Sequence, residues 1–209
     1  VNETSFFRDP HQFARLRHQV LPHLLAARAG EKRLRIWSAA CAGGQEAWSL
    51  AIMLDGMALS GWTIDLIATD ISGDAIARAE VGHYSQADMV RGLSLEDVAR
   101  HFRAQENGFM VSERLKRMVT FRKFNLLDSF GWLDDLDLVL CRNVLIHFDR
   151  AARLSVLERL AETLSPDGAL LLGEAETVHP FTSLYQEFPG GTGIYAKAKA
   201  QVTRLSALG

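Results

Sequence analysis

The stretch Arg33-Leu34-Arg35-Ile36-Trp37-Ser38, then Ala39-Ala40-Cys41-Ala42-Gly43-Gly44, then Gln45-Glu46-Ala47-Trp48-Ser49 decides the fold. A short β-compatible run meets a corner of small residues, and an apolar helical pattern follows through Leu50, Met53 and Leu54. Small side chains let a ligand approach the backbone closely, and the first turn of a helix leaves N–H groups unpaired. The corner does not match G-x-G-x-x-G and lacks the G-K-[ST] ending of a phosphate-binding loop. No lysine lies between Arg35 and Lys116, so a polyphosphate ligand is disfavoured. The corner also reads as a plain strand-to-helix turn packed with small residues, and both readings stand on local sequence alone.

Upstream, Asp9-Pro10 reads as an N-cap with proline at the first helical position, and Phe13, Leu16, Val20 and Leu24 predict a helix over residues 10 to 29. Downstream, the run Ile64 to Thr69 ends in Asp70, and Ser72 caps a helix through Ile76 and Ala79. The rhythm then breaks: Asn107-Gly108 sits between two short β-like runs, a hairpin signal, and residues 82 to 117 read as an inserted β-rich subdomain. Strands at Val119 to Phe124 and Leu136 to Cys141 resume the alternation, and a helix runs from Asp149 through Leu154, Leu157, Leu160 and Leu164. Ser165-Pro166-Asp167-Gly168 reads as a turn before a strand at Ala169 to Gly173. Tyr185 to Phe188 and Ile194 to Lys199, around Pro189-Gly190-Gly191, read as a closing hairpin. The fold class is α/β: a mostly parallel sheet covered on both faces, with a terminal antiparallel hairpin. Ligands in such sheets sit beyond the carboxyl ends of the strands, where the topology switches.

Composition narrows the function classes. Lys+Arg 23 against Asp+Glu 25 gives a formal charge of −2, which speaks against a nucleic-acid binder working by bulk charge. A hydrophobic fraction of 48% is too high for a disordered chain. The apolar runs fall far short of the ~20 residues that cross a bilayer, and no secretory signal is visible. Cys41 and Cys141 sit in strand-like contexts, which points to a reducing cytoplasm rather than a disulfide framework or a zinc site, and no metal ligand set is read.

The strand ends carry the candidate chemistry. Asp70 suits the two hydroxyls of a ribose, or caps a helix. Asn125 and Leu126 suit an adenine edge and face, or form a turn. Arg142, Asn143 and Val144 follow the fourth strand, with His147 and Asp149 behind, and here a structural ion pair and a packed histidine are the plain alternatives. Four consecutive strand ends thus carry groups able to hold an adenosine.

Asn2-Glu3-Thr4-Ser5-Phe6-Phe7-Arg8, the Trp37 to Ser49 stretch, Ala68-Thr69-Asp70-Ile71, Asn125-Leu126-Leu127 and Cys141-Arg142-Asn143-Val144-Leu145-Ile146-His147-Phe148-Asp149 resemble the CheR family, chemotaxis-receptor glutamate O-methyltransferases that use S-adenosylmethionine. The resemblance runs from Asn2 to about Tyr195 and includes Gly173-Glu174-Ala175-Glu176. It implies a class I methyltransferase (Rossmann-like) fold over residues 1–209, with the small subdomain inserted at 82–117. Carried over position by position, Asn2, Thr4, Arg8, Ala39, Glu46, Asp70, Asn125, Leu126, Arg142, Asn143 and Val144 fall at cofactor-contacting positions, with Asp70 on the ribose, and Arg8 and His147 fall at the reacting end. The family commonly has Tyr where His147 stands. Its members usually carry a small helical domain ahead of the Asn2 to Arg8 string, so this sequence reads as a piece of a longer protein.

The resemblance implies methyl transfer from S-adenosylmethionine to glutamate side chains of a chemoreceptor cytoplasmic domain, with S-adenosylhomocysteine as product. A glutamate of pKa about 4.3 is already ionised at neutral pH, so no general base is required. Holding the carboxylate in line with the methyl is worth up to roughly 7 to 11 kcal/mol. The hairpin tip Gln105-Glu106-Asn107-Gly108 is shorter than the glycine-rich loop expected of members that grip a receptor-tail pentapeptide, which predicts a pentapeptide-independent enzyme. The alternative is a signalling module that binds S-adenosylmethionine or S-adenosylhomocysteine with little turnover. Nucleic-acid methylation lacks the D-P-P-Y type of strand end.

Overall fold

The computed structural model describes residues 4–190 and 193–198, so Asn2, Gly191 and Lys199 lie outside the described residues. The N-terminal helix runs on through α1 (Pro10–Arg15), a π-helical turn over Leu16–Val20, and α2 (Leu21–Ala27). Asp9 does not cap it: its φ of 58° is left-handed, it makes no side-chain cap bond, and its carboxylate is drawn to Arg142 instead. Next come β1 (Arg33–Ala39), α3 (Gln45–Asp55), β2 (Thr63–Asp70) and α4 (Gly73–Val81), the last capped by Ser72 Oγ accepting from the Ala75 amide.

Residues 82 to 117 then form β3 (His83–Tyr84), α5 (Gln86–Val90), α6 (Leu95–His101), β4 (Phe102–Gln105), β5 (Gly108–Val111) and α7 (Glu113–Lys116), with the strands in a separate three-stranded antiparallel sheet ordered β3-β5-β4. The hairpin is offset by one residue from the Asn-Gly signal. Gln105 pairs with Gly108, so Glu106 and Asn107 make the turn and Gly108 opens β5. Glycine is required at that point because a Cβ would stand 2.4 Å from the Tyr84 carbonyl oxygen.

The chain returns through β6 (Val119–Lys123), β7 (Leu136–Cys141), a 3-10 turn over Leu145–His147, α8 (Arg150–Thr163), β8 (Leu164–Leu172), β9 (Tyr185–Glu187) and β10 (Ile194–Lys197). The main sheet has seven strands in the order β6-β2-β1-β7-β8-β10-β9, parallel from β6 to β8, with β10 antiparallel to β8 and to β9. Ser165 to Gly168 does not separate α8 from the strand. It is a bulge inside β8, where the register steps from Leu136 opposite Leu164 to Leu138 opposite Ala169. Arg28 holds it there, reaching Ser165 Oγ at 2.8 Å, Asp167 Oδ2 at 3.3 Å and the buried Asp137 Oδ1 at 2.7 Å.

The central strands are apolar on both faces, as a parallel sheet covered by helices requires. Leu34, Ile36, Leu138 and Leu140 pack into one core with Trp48 and the N-terminal helix. Trp37, Ala39, Val139 and Cys141 face the other way, onto Leu157 and Leu160 of α8. No helix among the described residues is long and apolar enough to cross a membrane.

The inserted segment meets the core around one buried carboxylate. Asp55 closes α3, and Arg114, Arg100 and His101 approach it to 2.6, 3.7 and 3.9 Å. Burial pulls the His101 imidazole below its ordinary pKa, with Asp55 opposing and Arg100 reinforcing the shift. A histidine depressed in the folded state stabilises the fold fully above its unfolded pKa of about 6.5 and progressively less as pH falls. The urea midpoint is therefore expected to drop between pH 7.5 and pH 5, and by a smaller amount in His101→Phe. Equal drops in the two proteins would remove His101 from that dependence.

Candidate active site

The sheet order reverses between β1 and β7: the chain moves outward from β1 to β2, then returns to lay β7 on the other side of β1. Beyond these two strand ends lies a cavity of about 470 Å3. Its walls come from the corner after β1 (Ala40, Cys41, Ala42, then Glu46), the end of β2 (Asp70, Ile71), the segment after β6 (Phe124, Asn125, Leu126), the loop after β7 (Arg142 to Val144, Ile146 to Phe148), and Thr4 and Arg8. Of the residues expected at the site, Thr4, Arg8, Glu46, Asp70, Asn125, Leu126, Arg142, Asn143, Val144 and His147 all line this cavity. Ala39 does not. The strand extends one residue further than the reading had it, Ala39 pairs with Thr69 and Cys141, and its methyl packs in the core; the lining passes to Ala40, Cys41 and Ala42.

Asp70 is buried, yet its two oxygens are tied by only one backbone N–H each: Ala42 N to Oδ2 and Ser72 N to Oδ1, both at 2.9 Å. The helix cap expected of Asp70 falls to Ser72 instead; Asp70 ties the corners after β1 and β2 and keeps a lone pair on each oxygen open to a further donor. The corner after β1 needs that anchor. Ala40 and Ala42 are left-handed at φ of 60° and 49°, a conformation that L residues adopt reluctantly. Asn125 behaves similarly: its Oδ1 accepts the Leu127 amide at 3.0 Å in a local turn, which leaves the Nδ2 donors uncommitted by that bond.

Arg142 organises the opposite wall. Its side chain is 1% exposed, and its guanidinium donates to Gln12 Oε1 (3.0 Å), Glu46 Oε2 (3.0 Å), the Arg8 carbonyl (2.9 Å) and Asp9 Oδ2 (2.5 Å). The planar fork thereby fixes the segment that carries Arg8, the N-terminal helix and Glu46 in one arrangement. Glu46 is held from its other side by Ser38 Oγ at 2.7 Å. The structural ion pair therefore holds for Arg142. His147 is exposed, on the 3-10 turn at the cavity mouth, not a packed core histidine.

Glu176, which the sequence does not mark as a site residue, governs the loop after β7. It is buried, and its carboxylate accepts backbone N–H groups from Asn143 (2.7 Å), Val144 (2.9 Å), Ile146 (3.3 Å) and Gly173 (2.8 Å). This satisfies a turn in which Asn143 takes a left-handed φ of 58°. Only the acid in Gly173-Glu174-Ala175-Glu176 signalled it, and nothing local says which amides it meets. Glu176→Gln turns one acceptor into a donor facing these amides, so a loss of about 3 kcal/mol or more in unfolding free energy is expected from urea titration. An unchanged midpoint would mean that the loop is held by other contacts.

Burial, with Asp70 and Glu46 adding, pushes the Cys41 thiol far above its ordinary pKa, and Cys141 is shifted in the same direction. The cavity therefore offers no thiolate nucleophile. What it offers is the buried Asp70, the half-buried Glu46, an amide, an apolar wall, the Arg142 fork saturated by its neighbours, and Arg8 and His147.

Residues 2–194 match the family model described as CheR methyltransferase, SAM binding domain. The chain belongs to the CheR methyltransferases. It is 41% identical over 207 residues to chemotaxis protein methyltransferase 1 of Pseudomonas aeruginosa, covering 95% of this chain and 74% of that protein. It is 37% identical over 205 residues to chemotaxis protein methyltransferase Cher2 of Pseudomonas putida, with 95% and 74% covered. A Vibrio parahaemolyticus chemotaxis protein methyltransferase is 35% identical over 207 residues, with 95% and 73% covered. The sheet, with its parallel body and antiparallel end, is the class I methyltransferase arrangement, and the chain is an S-adenosylmethionine-dependent methyltransferase.

The cavity of this CheR domain suits that cofactor on its own chemistry. Its volume lies in the range of small-molecule sites. The open lone pairs of Asp70 match a ribose diol, Asn125 Nδ2 can donate to a ring nitrogen, and Phe124, Leu126 and Ile71 give apolar surface for a base. Glu46, braced by Ser38 and Arg142, puts negative charge where a cationic sulfonium or ammonium gains from it.

Proposed function

We propose that this domain methylates glutamate side-chain carboxylates of a chemoreceptor cytoplasmic domain. The observation that carries the reading is the convergence of Glu46, Asp70, Asn125 and Arg142 on one cavity at the β1/β7 switch, in a chain whose relatives are named chemotaxis protein methyltransferases. When bound, S-adenosylmethionine supplies a methyl activated by its positive sulfur. The residues then have to bind, orient and exclude water, because a carboxylate acceptor is ionised without help at neutral pH.

Arg8 is assigned to the acceptor end. Glu46 and Asp70 repel an incoming carboxylate, Arg142 lies buried among internal partners, and Arg8, whose planar guanidinium can grip a carboxylate in bidentate fashion, lines the cavity together with His147. Arg8→Ala is expected to lower turnover about 100-fold, the scale of a misplaced reactant, with the melting temperature preserved. Near-normal methylation by this variant would remove Arg8 from the reaction.

Residues 82–117 are assigned to contact with the receptor, independently of any tail pentapeptide; the two-residue turn joining β4 to β5 gives little surface for gripping one. Micromolar binding of a receptor-tail peptide in calorimetry would overturn that assignment. A cytoplasmic location accords with the free Cys41 and Cys141.

The test of the function itself is incorporation of label from methyl-labelled S-adenosylmethionine into a receptor cytoplasmic domain, followed by alkali. Methyl esters release volatile labelled methanol. Binding of S-adenosylhomocysteine with no alkali-labile label would instead select the signalling module without turnover, the reading that His147 in a position commonly held by tyrosine favours.

A further inference from the structure

We propose that Tyr84 is a positioning residue for the cofactor corner, through which the inserted segment sets affinity for the adenosyl group; this rests on the cofactor site proposed above. Tyr84 lies on β3, outside the cavity, and no part of the site described so far uses it. Its hydroxyl donates to the Gly43 carbonyl at 2.7 Å, inside the corner that follows β1. The side chain is buried, so the bond is shielded from competing water.

The corner needs more than its own bonds to keep its shape. Ala40, Ala42 and Gly44 all take left-handed φ, and two of these are alanines, so the conformation persists only where neighbours over-determine it. The Cys41 amide donates to the Thr69 carbonyl at 2.8 Å and the Ala42 amide to Asp70, which fix the β1 side of the corner. On the helix side, Gly44 is seated so closely that a Cβ would lie 2.7 Å from the Ala79 methyl and 3.1 Å from the Tyr84 hydroxyl oxygen. Tyr84 thus anchors the end of the corner from which Glu46 projects. Burial also raises the phenol pKa well above its ordinary value, which keeps the hydroxyl a donor.

The same ring reaches the other wall of the site. Phe6, 1% exposed, packs edge-on to Tyr84 at 4.9 Å and to Phe102 at 5.6 Å, and it sits two residues before Arg8. The next residue, Phe7, donates its amide to Ser49 Oγ on α3 at 2.9 Å. One side chain of the inserted segment therefore touches both the cofactor corner and the segment that delivers Thr4 and Arg8.

The test is Tyr84→Phe, which removes one oxygen and keeps the ring against Phe6. The expected result is an S-adenosylhomocysteine Kd raised about three- to tenfold, the worth of one net hydrogen bond, with kcat at saturating donor within twofold of wild type. Amide hydrogen exchange of the ligand-free protein is expected to speed up over residues 42 to 45 while β7 and β8 are unchanged. A merely structural role would lower the melting temperature and the active fraction without moving Kd. Unchanged Kd, or unchanged exchange across the corner, overturns the proposal. Because the exchange arm uses no ligand, it reads Tyr84 even if wild type fails to bind S-adenosylhomocysteine, the outcome that would sink the cofactor site itself.

Discussion

Asp70→Ala is expected to weaken S-adenosylhomocysteine binding at least about 100-fold in calorimetry, because two hydrogen bonds to a charged acceptor are lost together. The same carboxylate holds the Ala42 and Ser72 amides, so the substitution also frees two donors at the strand ends. The two consequences separate in a control. Ser72→Ala removes only the cap on the Ala75 amide and should lower stability by about 1 kcal/mol while leaving affinity as it was. An Asp70→Ala protein that keeps its affinity would mean that the diol is bound elsewhere.

Arg142→Met is expected to be the most damaging single change to the fold. The buried guanidinium pairs with Asp9 and Glu46 and satisfies Gln12 and the Arg8 carbonyl. Removing one partner of a buried ion pair typically costs about 3 to 5 kcal/mol, since the remaining charge stays buried without compensation. For a chain of this length that corresponds to a fall of roughly 6 to 20 °C in melting temperature. Arg142→Lys should recover little, because a single ammonium cannot reproduce a fork shared among these acceptors. A melting temperature within a degree or two of wild type would show that the cluster contributes far less than its geometry indicates.

The parts of this domain legible in the sequence were those whose cause is local. Strand-then-small-corner-then-helix at residues 33 to 54, the cap at Ser72, and the apolar run over Leu136 to Cys141 each carry their own signal, and the structure has these elements, with Ala39 moved from the corner into the strand. Alternation along the chain was enough to place Asp70 at the end of a strand and Asn125 and Arg142 just after strands. Long-range partners were not legible. Asp9 looks like a helix cap until Arg142, far along the chain, claims its carboxylate. Gly108 looks like half of an Asn-Gly turn, but the close approach of the Tyr84 carbonyl moves it into the strand. Ser165 to Gly168 has turn composition, and only Arg28, from the other end of the chain, turns it into a bulge. Glu176 is the same case at the site: a carboxylate finds its amides through tertiary structure alone.

The most direct measurement is a two-dimensional amide NMR titration of the labelled domain with S-adenosylhomocysteine. Saturable shifts at Ala42, Asp70, Leu126 and Asn143, with the β9–β10 hairpin unmoved, are the result predicted. Absence of binding, or shifts gathered around Asp55 and Arg114 instead, would contradict an adenosyl site at the β1/β7 switch.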